Sequence, residues 1–170
     1  FSGFKMTFKR LKGKKENPFK AKKSRIIILV GSQGGATFRF AKEFQKQLIQ
    51  CGYKVFVDDL SSYESYYRME QLIIMTSTYG DGEAPTNSKE FIQRFGEIQQ
   101  KKKFNHAIVG FGSTDYFKFC QFAKDVSFAL EQSNQSKALL PLKLINKQSV
   151  SEFESWCLKW VDQMQITSKK

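Results

Sequence analysis

Cysteine and histidine are scarce in this chain of 170 residues, which carries Cys51, Cys120 and Cys157 and a single His106. No two cysteines form a CxxC pair, which with a single histidine argues against a zinc site, and the odd thiols read as reduced side chains in a cytosolic domain. Long hydrophobic runs are also missing. The longest, Ile26–Gly31, is far short of the ~20 residues that span a bilayer. The first 25 residues hold no apolar stretch long enough for a secretion signal. No glycine loop is followed by Gly-Lys-Ser/Thr and no GxGxxG occurs, which excludes a P-loop and a dinucleotide fingerprint. Internal repeats and low-complexity tracts are absent too.

What is present is enough for one domain with a core: 41% hydrophobic residues and 15% aromatics. The formal charge of +12 is unevenly placed. Residues 1–25 contain ten basic side chains and one acid, Glu16, and so hold +9, leaving +3 for the remainder. Basicity belongs to an arm. We take residues 1–24 as this arm and residues 25–167 as the folded domain. In the arm, Phe4, Met6, Phe8 and Leu11 alternate with cations, with Gly3, Gly13 and Pro18 as breaks. It reads as a solvated linker, as a juxtamembrane segment, or as a nucleic-acid arm. Cations beside aromatics favour the second, at an anionic cytoplasmic surface. Nothing in the body supports nucleic acid.

The body alternates two periods. Ile26–Val30 is a continuous aliphatic run, expected of a strand covered on both faces. Phe40, Phe44 and Leu48 then recur at helical spacing, up to Cys51-Gly52. Further strands are expected at Lys54–Val57, Leu72–Thr76, Ala107–Phe111 and within Ala138–Ile145, where Pro141 implies an edge or a bulge. Further helices are expected at Ser61–Glu70, after an Asn87/Glu90 capping box, over Phe117–Ser133, and from Ser149/Glu152 through Met164. Five strands alternating with five helices give an open, doubly wound α/β sheet. Its right-handed crossovers gather the strand-to-helix loops at one edge, where ligands bind.

Three of those loops carry chemistry. Gly31-Ser32-Gln33-Gly34-Gly35-Ala36-Thr37 joins the first strand to a helix, so backbone N–H groups, a helix dipole and two hydroxyls can cradle a phosphate. The others are Ser77-Thr78-Tyr79-Gly80-Asp81-Gly82-Glu83-Ala84-Pro85-Thr86 and Gly112-Ser113-Thr114-Asp115-Tyr116. Each sets a tyrosine among small residues, and a pair of tyrosines over a phosphate cradle suggests a planar ring gripped on both faces. His106, at a strand start, reads as structural.

The strings VGSQGGATFRFA, TSTYGDGEAPTN and VGFGSTDYFKF, in this order at these loops, resemble the flavodoxin family. The likeness is nearest to the FMN domains of diflavin reductases of the sulfite reductase and cytochrome reductase type, and it covers about Arg25–Met164. It implies a flavodoxin-like three-layer sandwich, a five-stranded parallel sheet in order 2-1-3-4-5 with helices on both faces, and noncovalent FMN. By position, Ser32, Gln33, Gly34, Gly35, Ala36 and Thr37 would hold the phosphate. Tyr79 and Tyr116 would sandwich the ring, with Thr78, Gly80, Gly112 and Ser113 on its polar edge. Asp81, Gly82, Phe111 and Phe119 complete the expected cofactor contacts, and the Gly80 carbonyl would turn toward flavin N5.

The chain departs from the family where Gly34 replaces a threonine of the phosphate loop, where Ala36 fills its variable slot, and where an often acidic turn reads Ile145-Asn146-Lys147-Gln148. FSGFKMTFKRLKGK resembles the stretch that joins PepSY-type membrane helices to such a domain in bacterial flavoreductases. The start at Phe1, without methionine, is expected of a piece of a longer protein. The expected function is electron transfer from an FAD/NADPH reductase module, fused C-terminally, to an acceptor. The expected location is the cytoplasmic face of the bacterial inner membrane, with a membrane segment N-terminal to the arm. No catalytic residue, no metal, no nucleic-acid partner and no complete enzymatic activity are expected of the domain alone. A free-standing flavodoxin carrier and an interaction module that has lost its cofactor are the alternatives.

Overall fold

The computed structural model describes residues 17–32, 35–78, 84, 85, 88, 90–115, 118 and 120–168. A short 3-10 turn, Ala21–Lys23, leads into β1 (Ile26–Gly31), α1 (Ala36–Gln50) and β2 (Val55–Asp59). A second 3-10 turn, Leu60–Ser62, precedes β3 (Gln71–Ser77), α2 (Phe91–Glu97) and β4 (Phe104–Gly112). The chain ends through α3 (Gln121–Glu131), β5 (Ser136–Ala138), β6 (Lys143–Asn146) and α4 (Val150–Ser168). All strand pairs are parallel, in the order β2-β1-β3-β4-β5, with β6 also on β4. The expected sheet order is therefore observed.

Alternation along β1 explains the three layers. Ile26, Ile28 and Val30 face a cluster containing Phe40, Phe44, Phe153 and Trp160 of α1 and α4. Ile27 and Leu29 face the other, with Phe91, Phe95, Phe122 and Leu130 of α2 and α3. Side chains of successive strand residues point to opposite faces, so a strand buried on both sides must be aliphatic throughout.

Several expectations need correction. The fifth strand is two pieces: β5 pairs with Phe104–His106 and β6 with Val109–Gly112, and the interruption holds Pro141. Proline lacks the N–H that a continuous ladder needs. No helix forms over Ser61–Glu70 beyond the 3-10 turn. Its place is taken by an extended run whose backbone is satisfied by side chains from elsewhere. The Arg94 guanidinium donates to the Tyr63 carbonyl through Nη2 at 2.6 Å and Nε at 3.0 Å. Gln100 accepts from Tyr66 N–H at 2.9 Å and donates to the Glu64 carbonyl at 2.7 Å. Tyr63, Tyr66 and Met69 fill the space a helix would have covered.

The helix expected from Phe117 starts at Gln121, because Cys120 is left-handed (φ 53) and cannot continue a right-handed turn. At α2, Glu90 occupies the cap position with no side-chain cap bond, and Asn87 lies outside the described residues. The Ser149 start is borne out: its hydroxyl accepts from Glu152 N–H at 3.3 Å. The second strand, expected from Lys54, begins at Val55 and runs to Asp59.

The described end of the expected arm is tied to the fold: Ala21 packs against the core and Ser24 is fully buried. The Asn17 amide spans the open edge of β2, donating to the Val57 carbonyl and accepting from Val57 N–H, both at 2.9 Å. Gln45 of α1 donates to Asn17 Oδ1 at 2.7 Å and to the Val55 carbonyl at 3.0 Å. A side-chain amide thus stands in for one residue of a neighbouring strand and blunts an edge that would otherwise offer unpaired groups.

Candidate functional site

The carboxyl ends of β1, β3, β4 and β6 are tied into one rim. The Gly31 carbonyl accepts from the Thr76 hydroxyl at 3.2 Å and the Ser77 hydroxyl at 3.4 Å. Thr78 N–H donates to the Phe111 carbonyl at 3.0 Å, and Lys147 N–H to the Gly112 carbonyl at 2.8 Å. Thr114 N–H is capped by Asn146 Oδ1 at 2.9 Å. Gly31 permits this closeness, since a Cβ there would overlap the Ser88 hydroxyl and come within 2.8 Å of Thr76 Oγ1. The same contact brings Ser88, from the segment after β3, across the end of β1.

On this rim the structure places the described members of the expected site. Ser32 follows β1 and is half-buried; Gly35 is the cap residue of α1; Ala36 and Thr37 open the helix. The cap residue of α1 is Gly35, which has no side chain with which to accept from the first N–H groups of the helix. Thr37 is 1% exposed, and its hydroxyl oxygen has no partner. Thr78, the residue after β3, likewise has a buried hydroxyl oxygen without a partner. Two orphaned hydroxyls, one in the first turn of α1 and one just past β3, are costly unless a ligand or water uses them. Gly112 ends β4, and Ser113 follows it, accepting from Asp115 N–H at 3.2 Å.

Phe111 is different. Its ring is 1% exposed and lies in the core, stacked on Phe40 at 5.0 Å and near Phe153 at 6.1 Å. What it offers the rim is its carbonyl. Gln33, Gly34, Tyr79, Gly80, Asp81, Gly82, Tyr116 and Phe119 lie outside the described residues.

The loop after β4 has a brace that its motif does not reveal. Lys147 Nζ is 3.2 Å from Asp115 Oδ2, and this hydrogen bond and charge hold the exposed Asp115 carboxyl below its usual range. Lys147 and Gln148 are both left-handed (φ 51 and 55), closing a tight turn in which Ser149 N–H returns to the Asn146 carbonyl at 3.3 Å. In the sequence only the asparagine hinted at a turn. Among the described residues no cluster of His, Cys, Asp and Glu could hold a metal. His106 is buried away from the rim, 2.7 Å from the Ser136 hydroxyl, and burial lowers its pKa to about 4.

A parallel sheet in the order β2-β1-β3-β4-β5 with helices on both faces defines a flavodoxin-like α/β domain. The flavodoxin family pattern matches residues 28–160, and the chain belongs to that family, whose cofactor is FMN. It is 30% identical over 121 residues to the sulfite reductase [NADPH] flavoprotein alpha-component of Bacillus subtilis, covering 69% of this chain and 20% of that protein. It is 28% identical over 144 residues to inducible nitric oxide synthase of Homo sapiens, covering 82% of this chain and 12% of that protein. The chain therefore spans a fifth or less of the length of these relatives. Among solved structures, oxidised Flavodoxin 2 from Bacillus cereus superposes with a TM-score of 0.71 at 18% identity, over 82% of this chain and 99% of that one. The flavodoxin of Streptococcus pneumonia TIGR4 gives 0.66 at 22% identity, over 81% and 98%. No described helix is long and apolar enough to cross a membrane.

Proposed function

We propose that this flavodoxin-like electron-transfer domain binds FMN through the rim described above and relays electrons from an FAD/NADPH-binding reductase module to an acceptor. The observation that carries the binding mode is the pair of buried, unpartnered hydroxyls, Thr37 Oγ1 in the first turn of α1 and Thr78 Oγ1 just past β3. A dianionic phosphate at α1 would accept from backbone N–H groups there and from Thr37, gaining the positive end of the helix dipole. Thr78 would donate to the polar edge of the ring. Backbone donors survive the Gly34 departure, since an N–H needs no side chain.

When bound, FMN supplies the chemistry of accepting and donating electrons. The protein's part is to orient the ring and set its surroundings. The hydrogen bonds linking Gly31, Thr78, Gly112 and Asn146 hold in fixed register the strand ends from which the three loops leave. Tyr79 and Tyr116 are assigned the two faces of the ring, with Ser32, Gln33, Gly34, Gly35 and Ala36 around the phosphate. Gly80, Asp81, Gly82, Gly112, Ser113 and Phe119 are assigned to the ring environment. Phe111 acts through its backbone.

The relatives whose names include NADPH support a fused reductase module as the electron source. The charge of residues 1–25 supports placement at the cytoplasmic face of a bacterial inner membrane, after a PepSY-type membrane segment. Titration of apoprotein with FMN, followed by flavin fluorescence, tests the stacking. Tyr116→Ala should weaken binding roughly fivefold or more, the scale of a ~1 kcal/mol ring contact, while Tyr79→Phe keeps the face and costs less. Equal affinities for Tyr116→Ala and the parent would remove the sandwich.

A further inference from the structure

Cations gather at the amino edge of the sheet. In the described segments that lead into the strands, four cations precede β1 (Lys20, Lys22, Lys23, Arg25) and three precede β4 (Lys101, Lys102, Lys103). Lys54 stands before β2, Arg68 before β3, and Lys137 lies within β5. All of these are exposed. The carboxylates in the same segments are Glu64 and Glu70, the latter 3.7 Å from Arg25 and 4.0 Å from Lys102; Glu97 and Glu131 end the nearby α2 and α3. At the opposite edge the described charges are close to balanced, with Asp58, Asp59, Glu90, Asp115 and Glu152 beside Arg39, Lys118, Lys143 and Lys147.

Apolar groups are exposed at the same basic pole. Tyr67 is 66% exposed, with Lys101 Nζ 6.0 Å from its ring centroid. Phe128 and Ile166, 64% and 54% exposed, lie in the last turns of α3 and α4, whose ends reach the amino edge. Helix C-termini attract cations, which accounts for some of this charge. It does not account for bare rings among lysines. That combination suits an anionic bilayer: cations meet the headgroups while Tyr67, Phe128 and Ile166 enter the interface.

We propose that the amino edge of the folded domain is itself a docking surface for an anionic membrane, which turns the flavin rim away from the bilayer and toward its electron partners. The inference rests on the membrane-proximal part of the reading above and is independent of flavin binding. Residues 1–16, which precede Asn17 in the sequence, are basic as well.

The test is co-sedimentation of the full chain with vesicles of phosphatidylcholine containing 30% phosphatidylglycerol, at about 50 and 300 mM salt. Because each cation near such a surface is worth about fivefold in partition, Lys101→Gln/Lys102→Gln/Lys103→Gln should reduce binding roughly a hundredfold at low salt. The same triple change at Lys118, Lys124 and Lys159, away from the amino edge, should reduce it less than tenfold. Tyr67→Ser should weaken binding at both salt concentrations, because insertion of a ring is not screened. FMN titration of every variant reports folding and the flavin site separately. The proposal is overturned if the parent does not bind, if the first triple variant loses less than tenfold, if the two triple variants lose equally, or if duplex DNA displaces the parent from the vesicles.

Discussion

Thr37→Val replaces a buried, unpartnered hydroxyl by a methyl of nearly the same volume. In the apoprotein this hydroxyl is 1% exposed and its oxygen lacks an acceptor or donor from the chain. An unsatisfied buried polar group costs about 1–3 kcal/mol, so the change should stabilise the apoprotein by up to that amount. With FMN bound, the hydroxyl would donate to a phosphate oxygen, a bond to a charged group worth roughly 1.5–3 kcal/mol. The affinity should therefore fall about ten- to 150-fold. The two effects have opposite sign. Thermal unfolding of apoprotein and a flavin fluorescence titration measure them on the same sample. If Thr37→Val lowers the apoprotein's Tm and leaves FMN affinity unchanged, the hydroxyl serves the fold, and the phosphate cradle is misassigned.

Three further outcomes follow from packing and protonation. Gly110→Ala should cost about 1–3 kcal/mol, because the new Cβ would overlap Ala123 Cβ of α3 and sit 3.2 Å from Leu144 Cδ2; adding Ala123→Gly should recover part of it in urea unfolding. Burial lowers His106 to about 4, so between pH 6.5 and 4 the unfolded chain binds the proton that the folded one refuses. Stability is fully present above pH 6.5 and should fall by roughly 3 kcal/mol on acidification through that window, a dependence that His106→Gln removes. Asn17→Ala strips the β2 edge of its amide partner and should lower stability by about 1–3 kcal/mol, read as an earlier melting transition.

The parts of the fold legible in the sequence are those that local pattern decides. Ile26–Val30 reads as a central strand because burial on both faces demands an aliphatic run, and the three loop strings stand at the correct strand ends. Tertiary partners hid the rest. Ser61–Glu70 carries enough polar and aromatic residues to pass for a weak helix, but Arg94 and Gln100, distant in sequence, satisfy its backbone in extended form. Cys120 gives no sequence sign of a left-handed turn, which is why α3 begins later than its apolar spacing suggests. Asn17 looks like one more polar residue of a basic arm until the edge of β2 is placed beside it. At the site, glycines and hydroxyls pointed to the cradle, whereas the Asp115–Lys147 brace comes from two loops that meet only through β4 and β6.

The central claim is that the rim binds FMN by its phosphate, and the most direct measurement is the affinity of the apoprotein for FMN beside that for riboflavin, which lacks the phosphate. Tight FMN binding with riboflavin weaker by at least a hundredfold is expected, since the first turn of α1 and Thr37 would act only on the phosphate. Equal affinity for the two flavins, or binding of neither, would contradict it.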